Sequence, residues 1–224
     1  MPPPPPGSEM DWPPDALERA AAAAALGLRR PVAAGSTAAL ERLLATDPDP
    51  RVRTAALGAL VRISKRRAAG PWAVALADAD PAVRRRAAET SPVVAPRDSS
   101  GLVAALADPD PGVAEAAAFA LGELGAGAVR AGAVAALASV AASHPDPLVR
   151  EAGVAALGSL GHPEGLDAVL SACTDRPAVR RRAVVALAAF TGPEVEAALE
   201  RALGDRDWQV RQAAEDLLGP STSG

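Results

Sequence analysis

The chain has 224 residues, of which 49% are hydrophobic, 22% charged and only 2% aromatic, with 22 Pro, 19 Gly and a formal charge of −4. That apolar fraction can bury a core, which excludes global disorder, a collagen-like chain and a disulfide scaffold, while the lone Cys173 has no internal partner and suits a reducing cytoplasm. The slightly acidic balance argues against a general nucleic-acid or anionic-membrane binder, leaving room only for one basic face hidden within it.

Met1 to Gly7 is a proline run that favours polyproline II, and no Lys or Arg precedes the first apolar stretch, so a secretory signal is not expected. Residues 1–14 read as a disordered leader. Ala20 to Leu28 is alanine-dominated, interrupted by Gly27 and bounded by Arg19 and Arg29, far short of the roughly 20 apolar residues of a membrane span. Residues 15–35 are expected to form an N-terminal capping helix, with Asp15 as N-cap and Glu18 three places on completing a variant of the capping box.

From residue 36 to residue 220 the chain repeats itself, before a short tail over 221–224 that reads as disordered. DPDPRVRTAALGAL, DADPAVRRRAAETS, DPDPGVAEAAAFAL, HPDPLVREAGVAAL, TDRPAVRRRAVVAL and DRDWQVRQAAEDLL align Val52, Val83, Val113, Val149, Val179 and Val210 in one column, at steps of 31, 30, 36, 30 and 31 residues. A period in this range marks a repeat array. Stretches such as Thr37 to Thr46, Ala73 to Ala77, Leu102 to Ala107 and Val195 to Leu203 supply the first helix of each unit. An Asp- and Pro-rich turn follows, then a second helix. Asp49, Asp80, Asp110, Asp146 and Asp207 stand where an N-cap carboxylate accepts a free N–H, and Pro50, Pro81, Pro111, Pro147 and Pro177 occupy the first helical position, where a missing N–H costs nothing. Offsets 4, 8 and 11 from the column Val, as in Ala56, Leu60 and Ile63, form one apolar stripe of roughly 80°. Two amphipathic antiparallel helices per unit are predicted.

Two stretches break the period. Pro92, Pro96 and Gly101 between Thr90 and Gly101 predict an early stop to the second helix of unit two. About six extra residues near Gly125 to Gly132 fit a longer connection or an extended first helix, Val129 to Ser143.

The Asp-Pro-x-Val-Arg pattern with its Ala and Leu stripe, over about six units from Ser36 to Leu218, resembles the HEAT-like repeats of the phycobilisome-lyase type. The resemblance implies an all-α, right-handed α-solenoid of helix pairs, with second helices on the concave side. It is specific for fold and silent on activity, since such repeats serve lyases, hydroxylases, adaptors and regulators alike. In related repeats the Arg after the column Val reaches a turn Asp of its own or a neighbouring unit. Arg53, Arg84, Arg150, Arg180 and Arg211 with Asp47, Asp78, Asp108, Asp175 and Asp205 therefore read as a structural ladder, and Ala114 as a gap in it.

Offsets 2 and 3 project away from or beside the core stripe. Arg85, Arg86, Arg181 and Arg182 stand there in units two and five, and Glu115 and Glu151 at offset 2 of units three and four; this alternating pattern suits a protein partner better than a uniform polyanion. Offsets 6 and 9 are small or apolar, including Gly58, Val61, Phe119, Gly122, Ala155, Gly158, Val185 and Ala188. A partner protein, neighbouring helices of a tightly curved superhelix, or plain alanine bias each accounts for that strip. Phe119 is its natural anchor.

Catalytic signals are sparse. His144 and His162 both precede Pro in inter-helix turns and lack the adjacent Glu of an iron-binding pair, no metal or cofactor motif is found, and Cys173 reads as a structural thiol. Two alternatives follow from resemblance: a bilin-lyase-like, chromophore-handling subunit, and a protein like the DNA-alkylation glycosylases, in which Arg84 to Arg86 and Arg180 to Arg182 contact phosphates. Trp12, Trp72 and Trp208 do not fall on outward offsets, which leaves the second without a base-stacking platform. The expectation is a non-enzymatic, cytoplasmic, monomeric or weakly oligomeric adaptor, without cofactor, that binds a protein on its second helices.

Overall fold

Four of the six second helices start where an Asp carboxylate meets a Pro; the fifth follows Arg176 and the sixth starts at Trp208 after Asp207. The computed structural model describes residues 11–94, 98–130 and 132–219, and among them the chain forms fourteen α-helices, two short 3-10 turns and no strand. By contacts the chain divides into two compact units, 1–97 and 98–224. The first ten residues of the expected leader and the expected tail lie outside the described residues.

The first unit holds α1 (Ala16–Leu26), α2 (Ser36–Thr46), α3 (Pro50–Ile63), α4 (Ala69–Leu76) and α5 (Pro81–Val94). The second holds α6 (Ser100–Ala105), α7 (Pro111–Leu124), α8 (Ala126–Arg130), α9 (Ala133–Ser143), α10 (Pro147–Leu160), α11 (Leu166–Ala172), α12 (Pro177–Ala186), α13 (Pro193–Leu203) and α14 (Trp208–Leu218). In both, each second helix packs on its own first helix and on the neighbouring second helices: α3 lies against α1, α2 and α5, and α10 against α7, α9 and α12. Both units are all-α solenoid stacks.

The caps work through one or two short backbone bonds each. Asp49, Asp80, Asp146 and Asp207 accept the N–H two residues on at 2.8–2.9 Å, and Asp110 accepts from both Gly112 and Val113. The Arg51 guanidinium and the Arg51 backbone N–H hold the Asp49 carboxyl down at about 2. Asp15 likewise caps α1 through Leu17 and Glu18, while the Glu18 side chain makes no return bond among the described residues, so only half of the expected box forms. The helix ends at Leu26, short of the segment expected up to residue 35.

Burial on the second helices is broader than the expected stripe. The six column valines are buried, and so are Leu57, Ala88, Ala118, Val154 and Val184 at offset 5 and Ala59, Ala120, Ala156 and Ala186 at offset 7. At about 100° per residue these widen the buried arc to roughly 160°, because a second helix such as α3 or α10 packs against at least three neighbours and not one.

Offset 9 faces the next helix. An added Cβ at Gly122 would stand 3.0 Å from the Ala156 Cα, and one at Gly158 would stand 2.9 Å from the Ala186 Cα. These glycines let successive second helices approach backbone to backbone. Part of the small-residue strip expected to face outward is thus consumed by packing.

Two further expectations are corrected. α5 does not stop early: it runs fourteen residues through Pro92, as long as α3. The buried Trp72 indole N–H donates to Ala87 O (2.8 Å) and Ser91 Oγ (2.9 Å), and Thr90 and Ser91 hydroxyls also donate to Ala87 O, so side chains tie the turn ahead of the proline. The extra residues near Gly125 to Gly132 form a separate short helix, α8, while α9 starts only at Ala133.

Candidate functional site

The turn arginines show how charge is used before any is left for a partner. Arg53 grips Asp78 of the following turn at 2.8 Å through both Nε and Nη2, Arg150 grips Asp175 at 2.7 and 2.8 Å, and Arg180 grips Asp205 at 2.9 and 2.7 Å. Their Nη1 atoms donate back to carbonyls of their own turns, as does Arg84 to Asp78 O and Arg211 to Asp205 O. Sequence reading overlooked the first rung: Arg19 of α1 holds Asp47 at 2.9 Å, which makes α1 the equivalent of a second helix. Its signal was Asp15 and Arg19 at the same spacing as Asp49 and Arg53. Guanidinium bonding holds the Asp175 and Asp205 carboxyls below the ordinary carboxylate range; for Asp78 burial opposes the shift, and the bonds from Arg53 and the Asp80 N–H outweigh it.

The gap at Ala114 has a matching partner. The next turn carries His144 where other turns carry Asp, so both ends of one rung are replaced together. His144 keeps the second job of that Asp: its Nδ1 accepts the Asp146 N–H at 3.1 Å, as Asp47 and Asp205 oxygens accept from Asp49 and Asp207. Ala114→Arg combined with His144→Asp is expected to add about 1 kcal/mol, with neither change stabilising alone. Thermal denaturation of the three variants decides it; an unchanged double variant removes the ladder as a source of stability there.

Beyond the ladder, the eight partner-facing residues fall in different places. Arg85 and Arg86 lie in the first unit, both paired with Glu89 of their own helix at 3.0 and 3.3 Å. The inner strip there is closed, with Val61 buried and the Arg62 and Arg86 guanidinium groups within 4 Å of a Cβ built at Gly58. The other six lie in the second unit. Arg182 reaches back from α12 to Glu151 of α10 at 3.1 Å, so these two charges serve each other; Glu115 and Arg181 make no ion pair among the described residues.

Phe119 of α7 and Val185 of α12 are 46% and 47% exposed although both are large and apolar. Between them, Gly122, Ala155, Ala156, Gly158, Ala188 and Ala189 form the floor of an open groove of about 350 Å³. The Gly-on-Ala contacts draw α7, α10 and α12 together, and Glu123, Ser159 and Arg182 complete the lining around that small-residue floor. A second depression of about 650 Å³ continues from Val185 and Arg181 onto Trp208, Gln212, Asp216 and Leu217 of α14. Sequence reading missed this extension. Its signal was Trp208 in the slot that five other units fill with Pro.

No reactive constellation accompanies the groove. No group of three or more His, Cys, Asp or Glu among the described residues is placed to hold a metal ion. Burial pushes the Cys173 thiol up to about 11, away from its nucleophilic form. No helix among the described residues is long and apolar enough to cross a membrane.

The sequence matches the HEAT repeat over residues 38–66, HEAT repeats over 99–178, and the PBS lyase HEAT-like repeat over 179–205. Among solved structures, YibA of Escherichia coli is 17% identical with a TM-score of 0.70, the match covering 92% of this chain and 77% of that one. An engineered protein is 19% identical with a TM-score of 0.58, over 88% of this chain and 95% of the other. At these identities the likeness is one of fold alone. No curated protein matches the sequence. Three repeat matches, helix pairs stacked within each unit and a recurrent Asp-Pro cap converge on one assignment: the chain is a HEAT-like repeat protein.

Proposed function

We propose that the protein is a scaffold that binds a protein segment along the inner groove of its second unit. One observation carries the reading: Phe119 and Val185 stand exposed on either side of a floor of glycine and alanine, where a water-facing helix ordinarily places Lys, Glu or Gln. A floor of small side chains admits a backbone or an aliphatic side chain closely, and exposed aromatic and Arg side chains are the common anchors of protein interfaces. Arg181, with no ion pair among the described residues, and Trp208 extend the same surface toward α14.

Phe119→Asp is expected to leave helicity and melting temperature unchanged, since the side chain is half exposed, and to weaken capture of the partner by about a hundredfold. Quantitative mass spectrometry of proteins retained by wild type, Phe119→Asp and Val185→Asp is the check. Species held by wild type and lost by both variants support the groove; identical retention by all three removes it.

A further inference from the structure

The formal charge of −4 conceals two opposed halves. Residues 1–97 carry fourteen Lys and Arg against ten Asp and Glu, a net +4, while residues 98–224 carry nine against seventeen, a net −8. Much of the excess in the first unit is gathered at one corner. Gly27, just after α1, lies against Ala59 and Arg62 of α3; Arg30 donates to the Arg62 carbonyl at 3.1 Å, and Arg62 donates to the Ala24 carbonyl at 3.4 Å. The connections that follow α1 and α3 therefore emerge side by side. They bring together Arg29, Arg30, Arg62, Lys65, Arg66 and Arg67, all exposed.

Among the described residues none of the six has a carboxylate partner; Arg30 and Arg62 bond only to backbone carbonyls. Cations do favour helix C-termini, but one or two would satisfy α1 and α3. The repeat also supplies its own control. The equivalent connections after α7, α10 and α12 hold one arginine and one glutamate between them, so the architecture does not require cations there.

We propose that this corner docks on an anionic bilayer surface. The choice of lipid over nucleic acid rests on what stands among the charges. Leu28, directly before Arg29, is 70% exposed, more than any other large apolar side chain among the described residues, and Val32 is exposed two places after Arg30. An aliphatic side chain adds nothing to phosphate contacts on a duplex, whereas at a bilayer interface it is buried while the neighbouring guanidinium groups meet lipid phosphates. The first unit offers no aromatic stacking at this corner: Trp72 is buried, and Trp12 precedes α1 at its opposite end. The contact is peripheral and electrostatic, so salt weakens it.

The full chain is sedimented with phosphatidylcholine vesicles and with vesicles in which phosphatidylglycerol replaces part of that lipid. Binding is expected only with phosphatidylglycerol, and only at low to moderate salt. Lys65→Glu, Arg66→Glu and Arg67→Glu together lower it at least about a hundredfold, Arg29→Glu with Arg30→Glu acts alike from the other connection, and Leu28→Ser lowers it about tenfold. Circular dichroism establishes that each variant is folded. Equal binding to both vesicle types, or a folded triple variant that binds like wild type, overturns the proposal. A chain that binds duplex DNA as tightly as the anionic vesicles, with Leu28→Ser without effect on either, overturns it in favour of a general polyanion site.

Discussion

Gly158→Val is expected to destabilise the protein by about 3 kcal/mol, although the position is only partly buried and valine is the better helix former. The cost comes from the neighbouring helix. A Cβ at Gly158 would stand 2.7 Å from the Ala186 Cβ and 2.9 Å from its Cα, and a backbone cannot rotate aside as a long side chain can. Valine adds two methyl groups to that conflict, so α10 and α12 must separate and the floor of the groove opens. Gly70→Ala in α4 is the contrasting substitution, because nothing lies within 4 Å of its Cβ. There the entropic gain is free to appear, and about 0.5 kcal/mol of stabilisation is expected. Urea denaturation of both variants gives the comparison; a loss below about 1 kcal/mol at Gly158 means that the two helices do not meet at this point.

The second large effect is expected at the rung of Arg180, the one arginine buried among the described residues. Arg180 and Asp205 side chains are 7% and 15% exposed and share two bonds, while Arg180 also donates to Asp175 O and Asp205 accepts the Asp207 N–H. Arg180→Ala removes three hydrogen bonds and strands a mostly enclosed carboxylate, for a loss of about 2 kcal/mol. Asp205→Asn retains a side-chain oxygen for the turn but no charge for the rung. Because both variants break the same contact, the double variant is expected to fall short of additivity by about 1 kcal/mol.

This rung and the preceding Arg150–Asp175 rung give a pH dependence of known sign. Folded Asp205 and Asp175 titrate below their unfolded value of about 3.9, so their contribution is complete above that pH and is lost as pH falls through the lower folded value. The denaturation midpoint of the wild type is therefore expected to drop more steeply below about pH 4 than that of Asp205→Asn. Parallel curves for the two would mean that the rung carries no linked stability.

Much of the fold could be read from the chain because its signals are local. A capping carboxylate acts two residues away and a proline acts on its own N–H, which is why the Asp49-Pro50 pattern placed the starts of α3, α5, α7 and α10 correctly. Failures came where distant residues intervene. Pro92 ends a helix by local rules, yet α5 passes through it because Trp72, nineteen positions before Ser91, reaches across to bond the preceding turn. Gly122 and Gly158 look from sequence like surface positions, and become close backbone-to-backbone contacts once the next repeat is stacked on them.

Sequence by itself determined the period, the all-α class, the caps and the residue types available at each turn, since all of these follow from interactions spanning a few residues or from exact repetition. Tertiary structure decided which charges are spent and which remain: Arg182 on Glu151, Arg53 on Asp78, and the corner at Arg30 and Arg62 unmatched by any carboxylate among the described residues. It also decided that Phe119 and Val185 stay open while Val61 at a comparable offset is covered. The physical reason is that exposure and charge pairing depend on what the neighbouring repeat brings within a few ångströms, and about thirty residues of sequence separate each side chain from that neighbour.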